Sequence, residues 1–260
     1  MSLDEKDPRK GNSFYYDLDA EPLDDLPFYL QQVDINKSVL ELGAGTGRIL
    51  IPLAAHCKEI VGVDYSADMV ERCEAKLRGL SSNAIRATMM VGDITHLDLL
   101  RKFDLIIAPY RVMQALETDD EVKGFFDTIR RHLLPTGKAI VNVFKPNREK
   151  AEMCKNWCQP HESICWEKTL PDASRVLHSE WYEKMDKERM VLYPQLIYRK
   201  YRGTQLLEEF IQMIKMRCYY PDEFQSLIQS HGFKISNCWG GYAGESYGHG
   251  RELVVEFSAT

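Results

Sequence analysis

The stretch that decides the fold is Glu41-Leu42-Gly43-Ala44-Gly45-Thr46-Gly47-Arg48. It overlaps the end of the apolar run Ser38–Leu42 and leads into an amphipathic stretch from Arg48 to His56, so it predicts a tight turn between a strand and a helix. Glycines in such a turn let the backbone bend sharply and let a ligand approach the peptide amides without meeting a Cβ atom. The N-terminus of the following helix would face the same ligand. The turn therefore predicts a ligand site at the carboxyl end of a strand.

The spacing of the three glycines narrows the class of ligand. A dinucleotide fingerprint reads G-x-G-x-x-G, and its third glycine lets the helix pack closely around a pyrophosphate. Here the spacing is G-x-G-x-G, and Arg48 stands where that third glycine belongs. The turn therefore favours a ligand without a pyrophosphate, such as a nucleoside that bears an amino acid. A bare strand-to-helix turn and the site of a nicotinamide dehydrogenase are the alternatives.

Two carboxylates follow the turn, each at the end of a further apolar run. Asp64 ends Glu59–Asp64, where its two oxygens could accept hydrogen bonds from both hydroxyls of a ribose. Asp93 follows Ala87–Val91 and is a second acceptor, suited to the exocyclic amine of adenine. Either acid alone is more often a helix cap or a turn residue. The glycine turn and the two acids, in this order, predict a nucleoside site along the strand ends.

Short apolar runs alternate with amphipathic stretches between Lys37 and Phe144. This alternation predicts a parallel sheet with helices on both of its faces. The predicted helices include Met69–Leu77 and Val122–Leu133, where apolar residues recur on one face. The five predicted strands are Ser38–Leu42, Glu59–Asp64, Ala87–Val91, Phe103–Ala108 and Lys138–Phe144.

The alternation stops after Phe144. Residues 205–217 fit an amphipathic helix and a third antiparallel strand equally well. The other predicted elements, in chain order, are loops with short helices over 145–170, a hairpin of Arg175–Tyr182 and Arg189–Tyr201, a helix from Pro221, and closing strands at Phe233–Trp239 and Leu253–Phe257.

Composition limits the classes of function. The 260 residues are 44% hydrophobic and 28% charged, which is ordinary for a globular protein. The formal charge of -6 and the scattered basic residues disfavour a nucleic-acid partner. No uncharged stretch approaches the about 18 apolar residues of a membrane helix, and Met1–Asp7 lacks the apolar core of a signal peptide. The seven cysteines are odd in number and follow no export signal, so we expect reduced thiols in a cytoplasmic protein without a membrane partner.

Residues 38–144, with the closing elements at 221–258, resemble a class I S-adenosylmethionine-dependent methyltransferase. The resemblance implies an α/β fold with a Rossmann-like, doubly wound sheet of seven strands, the last of them antiparallel, and a small antiparallel β insertion. It also implies S-adenosyl-L-methionine as the cofactor, with Glu41–Gly47 around the methionine part and Asp64 on the ribose. The cofactor-binding residues that it implies are Tyr16, Glu41, Gly43, Ala44, Gly45, Gly47, Arg48, Asp64, Tyr65, Met69, Asp93, Ile94 and Ala108.

Three further segments carry the resemblance. Phe103–Tyr110 is similar to the family's fourth motif, next to the transferred methyl group. Leu133–Gly137 resembles the family's L-x-P-G-G turn, with Thr136 in place of the first of its glycines. Tyr15-Tyr16-Asp17 resembles the N-terminal Y-D segment that covers the cofactor in small-molecule members. The fourth motif lacks the N-P-P-Y or D-P-P-Y of amino-methylases acting on DNA bases, glutamine or rRNA, so the resemblance points to the small-molecule N- and O-methyltransferases.

The resemblance implies transfer of a methyl group, by in-line displacement, to N or O of a small-molecule acceptor. It divides the chain into an N-terminal helical cover at 1–37, a cofactor-binding core at 38–144 and 218–260, and an insertion at 145–217 that forms a lid over the substrate pocket. A monomer and a homodimer both fit. Methylation of RNA or protein, and a catalytically silent scaffold that binds the cofactor, are the alternatives.

Methyl transfer from a sulfonium needs positioning and exclusion of water rather than a covalent nucleophile. The sequence therefore leaves the catalytic residue unknown, and Tyr110 is the first candidate on the substrate side, with Gln114 one helical turn further on. Further candidates from the cover, the insertion and the closing loop are Tyr16, His178, Glu180, Tyr182, Glu245 and His249.

Two other features have competing interpretations. Zinc ligands usually come in C-x2-C or C-x4-C pairs, whereas the cluster Cys154, Cys158, His161 and Cys165 has wider spacing and flanking tryptophans. We therefore expect no metal, although the sequence leaves the question open. The acidic run is interpreted as a solvated face or as helix-start charge, with attraction of a cationic acceptor as the alternative; its members are Asp17, Asp19, Glu21, Asp24 and Asp25.

Overall fold

The computed structural model describes residues 7, 9–19, 24–80 and 86–260. The predicted lack of a signal peptide rests on the first seven residues, six of which lie outside the described ranges, as does Glu21 of the acidic run. The chain divides into two compact units. The first unit comprises the described part of Met1–Pro146 together with Tyr219–Thr260, and the second unit comprises Asn147–Cys218.

The first unit is built on a seven-stranded sheet with the order β11-β12-β5-β4-β1-β2-β3. The strands β1 to β5 pair in parallel, and β12 pairs antiparallel with both β5 and β11. The predicted fold class, with its antiparallel last strand, is confirmed. The strands are β1 (Ser38–Leu42), β2 (Glu59–Asp64), β3 (Ala87–Val91), β4 (Phe103–Ala108), β5 (Leu133–Phe144), β11 (Phe233–Trp239) and β12 (Glu252–Ala259).

Helices cover both faces of this sheet because its strands are apolar on both sides. Leu40 and Leu42 belong to one buried cluster, which also includes residues of α5 and α7. Val39, which precedes Leu40, belongs to a second cluster with residues of α2, α3 and α4. Alternate side chains of a strand point to opposite faces, so the two clusters lie on the two sides of the sheet. The helices are α1 (Ser13–Asp19), α2 (Leu26–Leu30), α3 (Leu50–Leu53), α4 (Ala67–Arg78), α5 (Asp119–His132) and α7 (Pro221–Ser230).

The helix predicted from Arg48 to His56 is wrong in its extent, because α3 covers only Leu50–Leu53. The amides of Ile51, Leu53 and Ala54 do make helical bonds to the carbonyls four residues earlier. Pro52 has no N–H to donate to Arg48, so the first turn stays irregular.

The second unit contains α6 (Lys150–Asn156) and an antiparallel sheet in which β10 and β9 pair with β8, β8 with β7, and β7 with β6. Residues 205–217, which the sequence left undecided, form the strands β9 and β10. The prediction of loops and short helices over 145–170 missed β6. The strands of the second unit are β6 (Ser163–Thr169), β7 (Arg175–Asp186), β8 (Val191–Arg202), β9 (Gln205–Met213) and β10 (Met216–Arg217).

Helix α1 is attached to α4 by polar contacts. The amide of Ser13 donates to Asp68, and the carboxylate of Asp17 accepts from Arg72 and, at 2.8 Å, from Lys76. Asp17 also accepts from the hydroxyl of Thr46 at 2.6 Å, which ties α1 to the glycine turn. Among the helices of the described ranges, none is both long enough and apolar enough to cross a membrane.

Candidate functional site

The glycine turn between β1 and α3 folds as the sequence predicts. Gly43, Gly45 and Gly47 have φ angles of 72°, 55° and 86°, a region that glycine enters without strain. The amides of Gly43 and Ala44 both donate to the carbonyl of Val63, at 2.8 and 3.0 Å, so the turn is bonded to the end of β2. A Cβ on Gly43 would lie 2.4 Å from Cγ2 of Val112. The turn therefore requires glycine at this position for steric as well as conformational reasons.

Asp64 lies at the carboxyl end of β2, beside the turn. Its Oδ2 accepts from the amide of Gly45 at 2.7 Å, and its Oδ1 accepts from the amide of Ser66 at 3.0 Å. Burial raises the pKa of Asp64, against the effect of these two hydrogen bonds. Since each oxygen of a carboxylate has more than one lone pair, both can still accept from a ligand.

Glu41 lies one strand away, near the end of β1, and only 2% of its surface is exposed. Burial raises its pKa well above the ordinary value for glutamate, with Arg48 opposing and Asp25 and Asp64 adding to the shift. Its Oε2 is buried and has no hydrogen-bond partner among the described residues. Because buried polar atoms nearly always have a partner, Oε2 of Glu41 is an acceptor that a hydrogen-bond donor of a ligand could satisfy.

Arg48, which stands where a dinucleotide fingerprint has its third glycine, forms an ion pair with Asp25. Its two terminal nitrogens donate to the two carboxylate oxygens of Asp25 at 2.6 and 2.8 Å, and Asp25 is fully buried. The interpretation of the acidic run as a solvated face is therefore wrong for Asp25, which is buried at the N-cap position of α2. The guanidinium of Arg48 lies 5.0 Å from the centroid of the Tyr110 ring, within the range of a cation–π contact.

Tyr16 of α1 lies beside the glycine turn and Tyr110. Its ring lies 3.8 Å from where a Cβ on Gly45 would stand, and it meets the ring of Tyr110 edge-on at 6.3 Å. Burial raises the pKa of Tyr16 to about 12. The predicted cofactor residue Tyr16 and the predicted substrate-side residue Tyr110 are thus neighbours.

Tyr110 and Arg111 follow β4 in an uncommon backbone conformation. Their φ angles are 54° and 68°, a region that residues with a side chain adopt rarely. The amide of Arg111 donates to Oδ1 of Asn142 at 3.1 Å, and its guanidinium forms an ion pair with Glu252. The side-chain amide nitrogen Nδ2 of Asn142 in turn donates to Oε2 of Glu252 at 2.8 Å. This buried network holds the backbone that presents Tyr110.

Sequence reasoning missed Asn142 and Glu252, which hold Arg111 and its backbone. It named Asp25 in the acidic run but missed its pairing with Arg48. Asn142 offered one signal, since it is a polar residue inside the apolar run of β5 and is fully buried. A buried amide in a strand requires hydrogen-bond partners, and these could have been sought near the end of β4. Glu252 and Asp25 offered no comparable local signal.

The other predicted site residues are placed as follows. Oδ1 of Asp93 accepts from the amide and the hydroxyl of Thr95, at 2.8 and 2.6 Å, while its side chain stays 34% exposed. Gln114 is fully buried, and its side-chain oxygen accepts from the amide of Phe144 at 2.7 Å. Gln114 therefore braces the end of β5. Met69 and Ala108 are buried, whereas Tyr65 and Ile94 are partly exposed.

The comparisons with known proteins agree with this geometry. Residues 39–137 match the model of a family described as a methyltransferase domain. The N-methyltransferase FrzE of Cladobotryum sp is 30% identical over 132 residues, which make up 44% of this chain and 45% of that protein. The ubiquinone biosynthesis O-methyltransferase of Rickettsia conorii (strain ATCC VR-613 / Malish 7) is 27% identical over 118 residues, which make up 45% of this chain and 38% of that protein. The matched part thus spans less than half the length of these two relatives.

The solved structure of the CcbJ methyltransferase from Streptomyces caelestis has the same fold. The TM-score is 0.81 at 21% sequence identity, and the comparison covers 100% of both chains. Residues 39–137 thus carry a methyltransferase domain. In this domain the glycine turn, Glu41 and Asp64 lie together at the carboxyl ends of β1 and β2. The assignment of the individual cofactor residues stays a prediction.

The structure does not bring together the cluster Cys154, Cys158, His161 and Cys165, whose metal binding the sequence left open. In the described ranges, no group of three metal-ligating residues contains Cys154, Cys158 or His161. Sγ of Cys154 instead contacts Sδ of Met190 at 3.7 Å. Cys165 lies close to His178 and Glu180 of the second unit.

The remaining candidates lie outside the glycine turn. His178, Glu180 and Tyr182 belong to β7 of the second unit. Glu245 lies in the loop before β12, where its carboxylate accepts from the amide of Ala243 at 3.0 Å. His249, in the same loop, has a ring nitrogen 3.2 Å from the carbonyl of Tyr247. These contacts give the two loop residues a role in shaping the loop itself.

Proposed function

We propose that this chain is an enzyme that binds S-adenosyl-L-methionine at the glycine turn and transfers its methyl group to N or O of a small-molecule acceptor. One observation carries the proposal. The open backbone of the glycine turn, the hydrogen-bonded carboxylate of Asp64 and the buried carboxyl of Glu41 meet at the ends of two neighbouring parallel strands. Ligands of doubly wound sheets bind at this edge.

The chemistry of these groups fits the cofactor. Glu41 Oε2, buried without a partner among the described residues, would receive the donor it lacks from a cationic amine. Asp64, oriented by Gly45 and Ser66, retains the lone pairs that the two hydroxyls of a ribose require. The missing Cβ at Gly45 keeps the space between the turn and the Tyr16 ring open. Glu41 would thus hold the amino-acid end, and Asp64 the ribose.

When bound, S-adenosyl-L-methionine supplies a methyl group that its positively charged sulfur already activates. The protein then has to hold the acceptor atom about 3 Å from that carbon, in line with the bond that breaks, and to keep water out. Tyr110, with its backbone fixed by Arg111 and Asn142, is the side chain that we assign to the acceptor. Burial raises the pKa of Tyr110, so its hydroxyl keeps its proton near neutral pH and positions the acceptor as a hydrogen-bond donor.

The fourth-motif segment supports a small molecule as the acceptor. It reads Ala108-Pro109-Tyr110-Arg111 from the last residue of β4 onward, without the paired prolines of base-modifying amino-methylases. The formal charge of -6 supports the same conclusion, because enzymes that bind nucleic acids gain affinity by neutralising phosphates. For the cellular compartment we propose the cytoplasm, since none of the seven cysteines, all of which lie in the described ranges, forms a disulfide bond.

The experiment that tests the proposal is calorimetric titration with S-adenosylhomocysteine, the demethylated cofactor. We expect binding to the unmodified chain and a loss of about 10- to 100-fold in affinity for Asp64→Ala, because hydrogen bonds to a charged group contribute about 1.5–3 kcal/mol. Asp98→Ala is the matched control, since its carboxylate is exposed and lies away from the turn. Equal affinity of all three proteins would refute the site.

Turnover is tested on the same preparations. Incubation with S-adenosyl-L-methionine and panels of small amines, phenols and thiols should yield S-adenosylhomocysteine with at least one acceptor. Intact binding without product on any panel would favour a catalytically silent scaffold. Retention on RNA with a steep dependence on salt would favour an RNA substrate.

A further inference from the structure

Three side chains that can ligate metals share one face of the second unit's sheet. His178 and Glu180 are two positions apart on β7, so they point to the same side. On β6, Ser163 pairs with Glu180 and Ile164 with Ser179, but it is Trp166 that pairs with His178. Cys165 is therefore the extra residue of a β-bulge, and the bulge sets it opposite His178 together with Trp166.

The three ligand atoms are close together. One atom each of Cys165, His178 and Glu180 lies within 4.8 Å of the other two. Ligands of one zinc ion lie about 3.3–3.8 Å apart, given bonds of about 2.0–2.3 Å in a tetrahedral arrangement. Cys165 is exposed, so rotation of its side chain can close the difference. His178 is 1% exposed and Glu180 is partly buried, which places the group at the rim of a buried surface.

Neighbouring side chains fix two of the three ligands. The ring of His178 stacks on Tyr198 with the centroids 4.4 Å apart and the planes at 16°. The hydroxyl of Tyr182 donates to Oε2 of Glu180, while Oε1 lies 3.7 Å from Nε2 of His178. In metal sites such outer contacts orient the ligands and raise affinity. The histidine and the carboxylate are thus preorganised.

We propose that Cys165, His178 and Glu180 bind one zinc ion. A thiolate, an imidazole and a carboxylate are the three ligand types that zinc accepts in proteins, and a site with three of them leaves a fourth position for water. Binding would require the Cys165 thiol to release its proton to solvent, because the thiolate is the ligand. The site lies wholly in the second unit and is independent of the proposed methyl transfer.

The proposal differs from the cluster considered in the sequence. Only Cys165 is common to both groups, because pairing of β6 with β7 brings it to residues 13 and 15 positions later, rather than to the nearby cysteines. The register between β6 and β7, and not the spacing along the chain, brings Cys165, His178 and Glu180 together.

The first test is the metal content of the full chain, purified without chelators or an affinity tag that binds metals. We expect about one zinc per chain by elemental analysis, retained through gel filtration. We expect Cys165→Ser to lose it and Cys158→Ser to keep it, since Cys158 is also exposed but lies outside the group. The corresponding histidine pair is His178→Gln against His161→Gln.

The second test uses Co2+ added to metal-free protein. Coordination by a thiolate gives an absorption band of charge transfer from sulfur to metal, which we expect for the unmodified chain and for Cys158→Ser but not for Cys165→Ser. Tyr182→Phe should weaken Co2+ binding by about 10- to 100-fold, as removal of an outer contact to a ligand does in other sites.

The outcomes separate the proposal from a folding defect. Cys165→Ser is an exposed substitution that should leave circular dichroism and S-adenosylhomocysteine affinity unchanged, so it remains informative if His178→Gln misfolds. A chain that holds no zinc and gives no cobalt–thiolate band overturns the proposal. A band that persists in Cys165→Ser overturns it as well, since another cysteine would then be the ligand.

Discussion

Glu41 shows how a single buried carboxyl links the fold to ligand charge. Burial favours its neutral form, so in the free protein it holds a proton at pH values where an exposed glutamate has lost it. A cationic amine placed beside it would favour the charged form and lower its pKa again. Binding of a ligand with such an amine should therefore be coupled to proton release.

We expect S-adenosylhomocysteine to release protons from the chain when it binds, at pH values between the ordinary glutamate pKa of about 4.3 and the raised pKa of Glu41. Calorimetry in buffers of different ionisation enthalpy measures the number released. Glu41→Gln should abolish most of the release, while Asp98→Ala should preserve it. Unchanged release in Glu41→Gln would show that another group, such as Asp64, loses the proton.

Gly43 tests the close approach at the turn. We expect Gly43→Ala to lower the free energy of unfolding by more than 2 kcal/mol, because it combines a left-handed φ of 72° with a Cβ only 2.4 Å from Val112. Gly203→Ala is the matched control. It has a φ of 59° and no atom within 4 Å of the added Cβ, so it should show the conformational cost of about 1 kcal/mol alone. Urea unfolding measures both, and equal losses would contradict the steric argument.

At the scale of elements, α1 depends on the charge of Asp17. Burial opposes ionisation of this carboxyl, but hydrogen bonds from Lys76, Thr46 and Arg72 keep its pKa below the ordinary value. A carboxyl whose pKa is lowered by folding stabilises the folded state at pH values above its pKa in the unfolded chain. This stabilisation is lost as the pH falls through its pKa in the folded state. Acid should therefore loosen α1 from α4 before the sheet unfolds.

We expect Asp17→Asn to mimic this loss at neutral pH. Hydrogen exchange should become faster at the amides of Ser13–Asp19, with a loss of about 1–2 kcal/mol in local stability, since the carboxylate binds two cations and a hydroxyl. Asp127→Asn removes a carboxylate from the exposed pair with Lys123, where we expect less than about 1 kcal/mol. Unchanged exchange in α1 of Asp17→Asn would show that other contacts hold this helix.

The elements that the sequence predicted are those whose local pattern and packing agree. Strands β1, β2 and β4 have the predicted bounds, because short apolar runs in this fold are buried between two layers of helices. The edge strand β3 also has its predicted bounds, although only Met89 in it is buried. Strand β6 was missed, since five of its seven side chains are exposed and the run has no apolar pattern. Leu206, Leu207 and Ile211 of β9 suit a helix as well as a strand, and only the pairing with β8 decides between them.

The candidate site also has a part that could be predicted from the sequence and a part that could not. The glycine turn and Asp64 were predictable, because their chemistry follows from a short segment at a strand end. The network that fixes the backbone at Tyr110 could not be predicted, because Arg111, Asn142 and Glu252 meet only when strands far apart in sequence become neighbours. Interactions between distant segments leave no periodicity to detect.

At the scale of the whole molecule, the closing strand β12 lies inside the sheet between β11 and β5. Phe257 of β12 is fully buried, and its ring meets Phe233 at 5.0 Å and Phe126 at 6.2 Å. We expect Phe257→Ala to lower the free energy of unfolding by about 3–5 kcal/mol, the usual range for a buried phenylalanine. Phe14→Ala, at a position 37% exposed, should have a much smaller effect in the same urea titration. Equal losses would mean that the closing strand contributes little to the core.

The interior place of β12 has a consequence for biosynthesis. Until the ribosome has released Glu252–Ala259, β5 has no partner on one side, and its backbone amides and carbonyls there stay open to other chains. The buried side chains Ile140, Val141 and Val143 lie along that unfinished edge. The nascent polypeptide is therefore vulnerable to aggregation until β12 has been synthesised, and chaperones that shield unpaired strands should raise its yield in cells.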